Sequence, residues 1–395
     1  MPETKVRKKR QPLFHVIKRP TIAWYRAWTI RILSVILALA VACLILYIFA
    51  NANPITVITE LFKGCFGTKR RIWKTFKNLA LLLIVGLALI PSFKMKFWNL
   101  GGNGQILMGG LASIACMYYM GNAGVADWII IICSIIASIL AGAIWAVIPA
   151  LFKAFFNTNE SLFTLMLNYV AAGLVSTFIA LVVKGGSGVL TPLSKGRLPI
   201  IYNVNLLPIL VAFVLLILIF AYLRFSKHGY ELAVVGESPN TARYIGINVK
   251  KVIVRTLCLS GALCGVVGLL ITSGIDYTIS TTTANDMGFT AIMVAWLAKF
   301  NPFIMVLTSF LISFVSTGMA QVQSTLKITN DSVTSIITGI IYFFIIASEF
   351  FVSYKILLTN HKQKSRPLFV RRLRLLHTGL KFHNPFEKKS KKGGK

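Results

Sequence analysis

Of 395 residues, 56% are hydrophobic and 13% charged, the mean hydropathy is +0.74 and the formal net charge is +31. These values exclude an ordinary soluble domain and place the chain among polytopic membrane proteins, whose spanning segments must satisfy their own backbone polar groups. Twenty-two of the 42 Lys and Arg fall in residues 1–31 and 355–395. Such tails read as positive-inside anchoring beside anionic lipid, in preference to nucleic-acid binding.

In chain order, a basic tail over residues 1–28 precedes an apolar run at 30–50. That run is too long for a signal-peptide core, so it reads as a retained first helix, although Ala50-Asn51-Ala52 imitates a cleavage site. Residues 51–77 carry six basic side chains. ITELFKGCFG and RRIWKTFKN within them read as an interfacial amphipathic excursion. Apolar runs follow at 78–92, 104–120, 128–150, 161–183, 205–223, 252–272, 287–300, 302–320 and 332–354. The expected fold is therefore an all-α polytopic transmembrane helical bundle of about ten helices, built to cross roughly 30 Å of hydrocarbon. Its membrane domain covers 29–354, and a second basic tail covers 355–395. The charge distribution puts both termini and the loop 224–251 in the cytoplasm, and the loops at 184–204, 273–286 and 321–331 outside.

The chemistry the chain lacks narrows the function. Its six cysteines form no CxxC pair, and its five histidines lie in tails or in the 224–251 loop. No metal, cofactor or catalytic residue is expected from them. The eleven acidic residues avoid helix centres, which argues against a proton-coupled pump. There is no GxxxxGK[ST] phosphate loop. A channel, a carrier without its own ion couple, or the membrane half of a machine energised elsewhere survives these absences; an intramembrane enzyme does not.

Two stretches are informative. In FWNLGGNGQILMGG, residues 97–110, the glycines Gly101, Gly102 and Gly104 predict an interrupted helix. Asn99, Asn103 and Gln105 would then supply neutral hydrogen-bonding groups to a solute pathway. The alternative is an ordinary turn whose amides cap helix ends, with Gly109-Gly110 permitting close packing. Thr164 and Asn168, four residues apart, share a helix face and could line the same pathway or bond between helices. Asn103-Gly104 and Asp286-Met287-Gly288 are both polar breaks ahead of short helices, a faint internal echo. Gly261, Gly265 and Gly268 have the spacing of a packing face. The second stretch, HGYELAVVGESPNTARYIGINVKK over 228–251, is amphipathic, broken at Gly236 and Pro239, and suited to docking a soluble partner.

GYELAVVGESPNTARYIGINVKKVIVRTLCLSGALCGVVGLL resembles the loop and following helix of permease subunits of ABC importers for nucleosides, simple sugars and branched-chain amino acids. FWNLGGNGQIL, NESLFTLMLNYVA and DMGFTAIMVAWLAKFNP fit the same family in order, so the resemblance spans about 78–350 and favours the nucleoside-like branch. It implies a plasma-membrane permease that pairs with a second permease, binds ABC ATPase subunits and receives solute from an extracellular solute-binding protein or lipoprotein. The ATPase coupling loop would then use Glu231, Gly236, Glu237, Pro239, Ala242, Arg243 and Gly246. The signature's usual glutamate is Asn103 here, which puts a carboxylate role at that position in doubt. The expected function is an importer permease for a nucleoside, with a ribose-like sugar permease, a stand-alone facilitator and a membrane scaffold as rivals.

Overall fold

The computed structural model of the protein describes residues 14–19, 23–183, 189–328 and 331–358. Most of the two basic tails lies outside the described residues, as do residues 184–188 at the start of the 184–204 loop and residues 329–330 of the 321–331 loop. In chain order the elements are β1 (Phe14–Lys18), α1 (Trp24–Ala50), α2 (Pro54–Phe66), α3 (Lys69–Lys94), α4 (Gly102–Asn122), α5 (Asp127–Phe156) and α6 (Glu160–Val182). They continue as α7 (Leu206–Phe225), α8 (Lys227–Glu237), α9 (Pro239–Tyr244), α10 (Val249–Thr272), α11 (Met287–Leu297), α12 (Pro302–Thr325), α13 (Asp331–Ser353) and β2 (Tyr354–Leu358).

Helix starts follow local chemistry. Side-chain oxygens of Asn53, Thr68, Asn159, Ser226, Asn248 and Asn301 accept backbone N–H groups at the first turns of α2, α3, α6, α8, α10 and α12, satisfying donors that have no intrahelical partner. Among the described residues, eight helices are long and apolar enough to cross a membrane: α1, α3, α5, α6, α7, α10, α12 and α13. The protein is a multi-pass membrane protein. Two compact units divide the chain. In the first, residues 1–27 with 350–395, β1 and β2 pair antiparallel with Phe14 opposite Leu358, a ribbon that no periodicity in the sequence announced. The second, Trp28–Glu349, contains the bundle.

α3 is the centre of that bundle. Every residue from Leu79 to Phe93 is buried, as expected of a helix apolar on all sides. α10 packs against α4 and α5 through small residues. A Cβ on Gly142 would overlap the Gly261 carbonyl oxygen, and one on Gly265 the Ser138 carbonyl oxygen. Backbone therefore touches backbone along this seam, as small-residue faces allow between membrane helices. In the basic 51–77 region α2 is a separate short helix that buries Val57, Leu61 and Cys65, with a Cβ on Gly318 of α12 reaching 2.8 Å from Leu61, and leaves Ile55, Phe62 and Phe66 exposed. RRIWKTFKN, expected to belong to the same interfacial excursion, is instead the opening of α3.

α3 ends against α8, where a Cβ on Gly236 would overlap the Lys94 carbonyl oxygen. Hereafter this is the α8 end of the bundle. Near it Glu349 of α13 pairs with Arg31 of α1 and with Lys299 after α11, each at 2.8 Å. α11, expected from its sequence as part of a crossing at 287–300, has 11 residues and at 1.5 Å per residue spans only about 16 Å. The irregular stretch ahead of it completes the passage.

Gly142→Val should lower stability by about 3 kcal/mol or prevent folding, because the overlapped atoms are backbone, whereas Gly173→Ala, with open space around it, should be near neutral. Melting of the two variants in detergent micelles checks this.

A mid-bundle amide network and the α8–α9 loop

Between α3 and α4 the chain runs without helix from Met95 to Gly101, and its backbone groups need partners in an apolar interior. Asn99 provides the first. Its Oδ1 accepts from Gly101 N at 3.0 Å and from Gln105 Nε2 at 3.2 Å, while its Nδ2 donates to Ser260 Oγ of α10 at 3.1 Å. Ser260 lies eleven residues into α10, so the site is roughly 16 Å along it from the α8 end. α6 supplies the rest. Thr164 Oγ1 accepts from Leu100 N at 3.1 Å, Asn168 Nδ2 donates to Leu100 O at 2.9 Å, and Asn168 Oδ1 accepts from Gly104 N at 2.8 Å. Asn168 thereby caps α4, and Thr164 and Asn168 meet the same loop because four residues separate them on one face.

Asn103 links α4 to α11. Its Oδ1 accepts from Gly288 N at 2.7 Å, and its Nδ2 donates to Asp286 Oδ1 at 3.1 Å. The two helix starts approach at their glycines, with a Cβ on Gly102 reaching 3.0 Å from Gly288 Cα. Asp286 itself is left-handed, with φ 52°. Its carboxylate lies where two helix N-termini converge and their dipoles favour negative charge. Asparagine fits because it donates and accepts at once; an ionised glutamate at 103 could not donate to Asp286. The two polar breaks that echo one another in the sequence are thus in direct contact.

All five pathway candidates, Asn99, Asn103, Gln105, Thr164 and Asn168, are brought together and are at most 8% exposed. Their amides bond to backbone, to Ser260 and Asp286, and, between Gln105 and Asn99, to one another. Two buried polar atoms beside them have no partner among the described residues, Gln105 Oε1 and Trp145 Nε1. Trp145 Nε1 lies 3.1 Å from where a Cβ on Gly104 would sit.

The coupling-loop candidates form two short helices. Ser238 separates α8 from α9 and caps α9 by accepting from Thr241 N. Leu232, Val235 and Ala242 are buried and pack with Met95 and Phe97 of the segment leading to Asn99. Gly236 is required by the close approach to α3. Glu231 pairs with Arg255 at 2.8 Å, and that guanidinium holds its carboxyl below the usual carboxylate range. Glu237, Pro239, Arg243 and Gly246 face outward, beside Tyr244, which is 92% exposed. Gly246 has φ 85° and closes α9.

The family described as branched-chain amino acid transport system, permease component, matches residues 73–346. The chain belongs to that permease family. Among its relatives, the guanosine ABC transporter permease NupP of Bacillus subtilis is 26% identical over 334 residues, 82% of this chain and 94% of the relative. The nucleoside ABC transporter permease NupB of Lactococcus lactis is 25% identical over 74% of this chain and 84% of its own. The glucose ABC transporter permease TsgB13 of Haloferax volcanii is 26% identical over 86% and 92%. No solved structure matches.

The permease structure adds a cavity of about 100 Å³ that the sequence did not single out, lined by Asn78, Asn285, Thr290, Ser313, Ser316 and Tyr342 among others. Asn285 and Met287 of its wall flank Asp286, so the amide network lies beside it. These residues come from α3, α12, α13 and the start of α11. Only helix packing reveals that they face one another. At this volume the cavity falls below the usual ligand-pocket range of about 300–1,000 Å³, so passage of a solute requires the helices around it to separate.

Asn103→Glu should set two carboxylates against each other and lower the apparent melting temperature, since groups this close do not both ionise freely. Asp286→Asn in the same chain should recover the loss, with a coupling of roughly 0.5–3 kcal/mol. A double-mutant cycle on the detergent-solubilised protein measures it.

Proposed function

We propose that this permease translocates a nucleoside or a related neutral polar solute as the membrane subunit of an ABC importer, energised by separate ATPase subunits. The observation that carries the reading is the contact between α8 and the segment that bears the amide network. Gly236 abuts Lys94, Leu232 and Val235 pack with Met95 and Phe97, and Asn99 follows two residues later. A shift of α8 would therefore be transmitted to Asn99–Gln105 within one residue stretch. The exposed face of α8 and α9, with Tyr244 and Glu237, is the surface offered to the ATPase. On this reading the α8 end and both termini are cytoplasmic, and solute comes from a binding protein or lipoprotein at the opposite end. A second permease subunit completes the complex, and the tails rest on anionic lipid.

In the mechanism, the polar cavity beside Asp286 receives the solute and the amide network closes it toward the α8 end. Opening would exchange amide–amide bonds for bonds to hydroxyl and ring groups, with Gln105 Oε1 and Trp145 Nε1 as further partners. Binding of ATP on the partner subunits would shift the balance between the two states through differential affinity for them. Neutral Asn, Ser, Thr and Tyr groups suit a nucleoside; the glucose permease relative supports a sugar as the second reading. Competition of guanosine against glucose for uptake separates them.

Affinity purification from gently solubilised membranes should recover an ABC ATPase with the tagged chain. Recovery of the chain alone, from a preparation in which a known ABC importer stays intact, would overturn the proposal. Gly236→Ala should cut uptake about tenfold or more by prising α8 from α3 while leaving ATPase subunits bound, whereas Tyr244→Ala should weaken their binding. Asn285→Ala should raise the KM for the imported solute by about tenfold, the equivalent of one lost hydrogen bond to it.

A further inference from the structure

The opening of α3 places Lys69, Arg70, Lys74 and Lys77 around an open pocket of about 890 Å³, at the end of the bundle away from α8. None of the four makes an ion pair with a described residue. Asp276 is the carboxylate whose field reaches Lys77, which leaves the pocket strongly positive. Arg70 and Lys74, four residues apart on one helix face, repel each other. If the α8 end is cytoplasmic, this cluster also opposes the positive-inside distribution that the rest of the chain follows. Cations gathered in a concavity at a cost to the helix that carries them focus an attractive field on an anion.

The remaining walls point to what the anion is attached to. Trp73 and Tyr202 form a ring pair with centroids 6.2 Å apart and planes at 55°, an apolar surface for a planar or acyl group. Asn203 Oδ1 accepts from Asn205 N at 3.1 Å and from Asn205 Nδ2 at 3.0 Å, which orients both amides at the pocket edge.

We propose that this pocket binds a phosphate ester at the outer face. The phosphate lies among Arg70, Lys74 and Lys69, by bidentate and point-charge contacts, and its organic part rests on Trp73 and Tyr202. Lys74, Asn78 and Leu82 are spaced four apart on α3, and the last two line the smaller polar cavity. An ester held here therefore stands at the mouth of the solute path. Two sources share this chemistry, a soluble nucleoside monophosphate and the phosphodiester of an anionic lipid headgroup. The outer placement rests on the importer reading; the binding does not.

The test uses the full chain in phosphatidylcholine nanodiscs, titrated with adenosine 5′-monophosphate, inorganic phosphate and adenosine and followed by calorimetry. The monophosphate should bind and be displaced by phosphate but not by adenosine. Arg70→Gln/Lys74→Gln should weaken it by about tenfold or more, with the melting temperature held or raised because a like-charge pair is removed. Lys195→Gln, on an exposed loop outside the pocket, should leave binding unchanged. Phosphatidylglycerol in the disc should compete if lipid is the source, and its enrichment around the wild type, lost in the double variant, would support the lipid arm. Absence of both monophosphate binding and phosphatidylglycerol enrichment, or equal weakening by Lys195→Gln, overturns the site. Labelling of Asn203→Cys in a cysteine-free background by an impermeant maleimide tests placement separately. Reaction in intact cells supports the outer face. Reaction only in inverted vesicles removes the outer placement and the importer topology while leaving the binding result standing.

Discussion

Helices that begin in the middle of an apolar interior carry N–H groups with no intrahelical partner and no water to receive them. That constraint governs the centre of this permease. α4 and α11 both start near mid-bundle, and Asn168 and Asn103 take up their donors. Asn99 and Thr164 do the same for the loop ahead of α4. Four neutral side chains thus permit two interrupted passages in a structure that otherwise consists of long uniform helices. The glycines are the other half of the solution, because α4 and α11 could not bring their starts together over Cβ atoms at positions 102 and 288.

Charge stands at the edge of this centre. Asp286, an exposed residue, lies between two converging helix starts and receives a hydrogen bond from Asn103, so its negative charge is met by dipoles, a neutral donor and its exposure. The arrangement explains why an asparagine is compatible with position 103 in this chain. It also places a hydrogen-bonded carboxylate beside the cavity lined by Asn285 and Thr290. The structure thereby joins two features that are separated by 183 residues in the chain.

The bundle was legible in the sequence because hydrocarbon thickness dictates run length, and the long runs became α1, α5, α6, α7, α10, α12 and α13; the shorter run at 78–92 proved to be the second half of α3, which starts in the basic stretch before it. The polar break at Gly101–Gln105 was legible as well, since consecutive glycines among apolar residues demand an explanation. What Asn99 or Asn168 bonds to was not, because a lone amide in a helix can face a solute, a neighbour or a backbone group, and only packing decides. RRIWKTFKN was misread for a related reason. Its basic residues open α3, and charge at the start of a helix does not show that the apolar run after it continues the same element. The cavity around Asn78, Ser313 and Tyr342 left no trace at all, as its polar groups are spread over four elements far apart in the chain.

The seam of Gly109, Gly142, Gly261 and Gly265 has a mechanical meaning. Side chains can switch rotamers to let helices slide, but a contact made of main-chain atoms has no such freedom. α10 is therefore in main-chain contact with both α4 and α5 at these positions, a junction with no rotamer to adjust. α6 and α11 instead meet the start of α4 through side-chain hydrogen bonds, which can be traded one at a time.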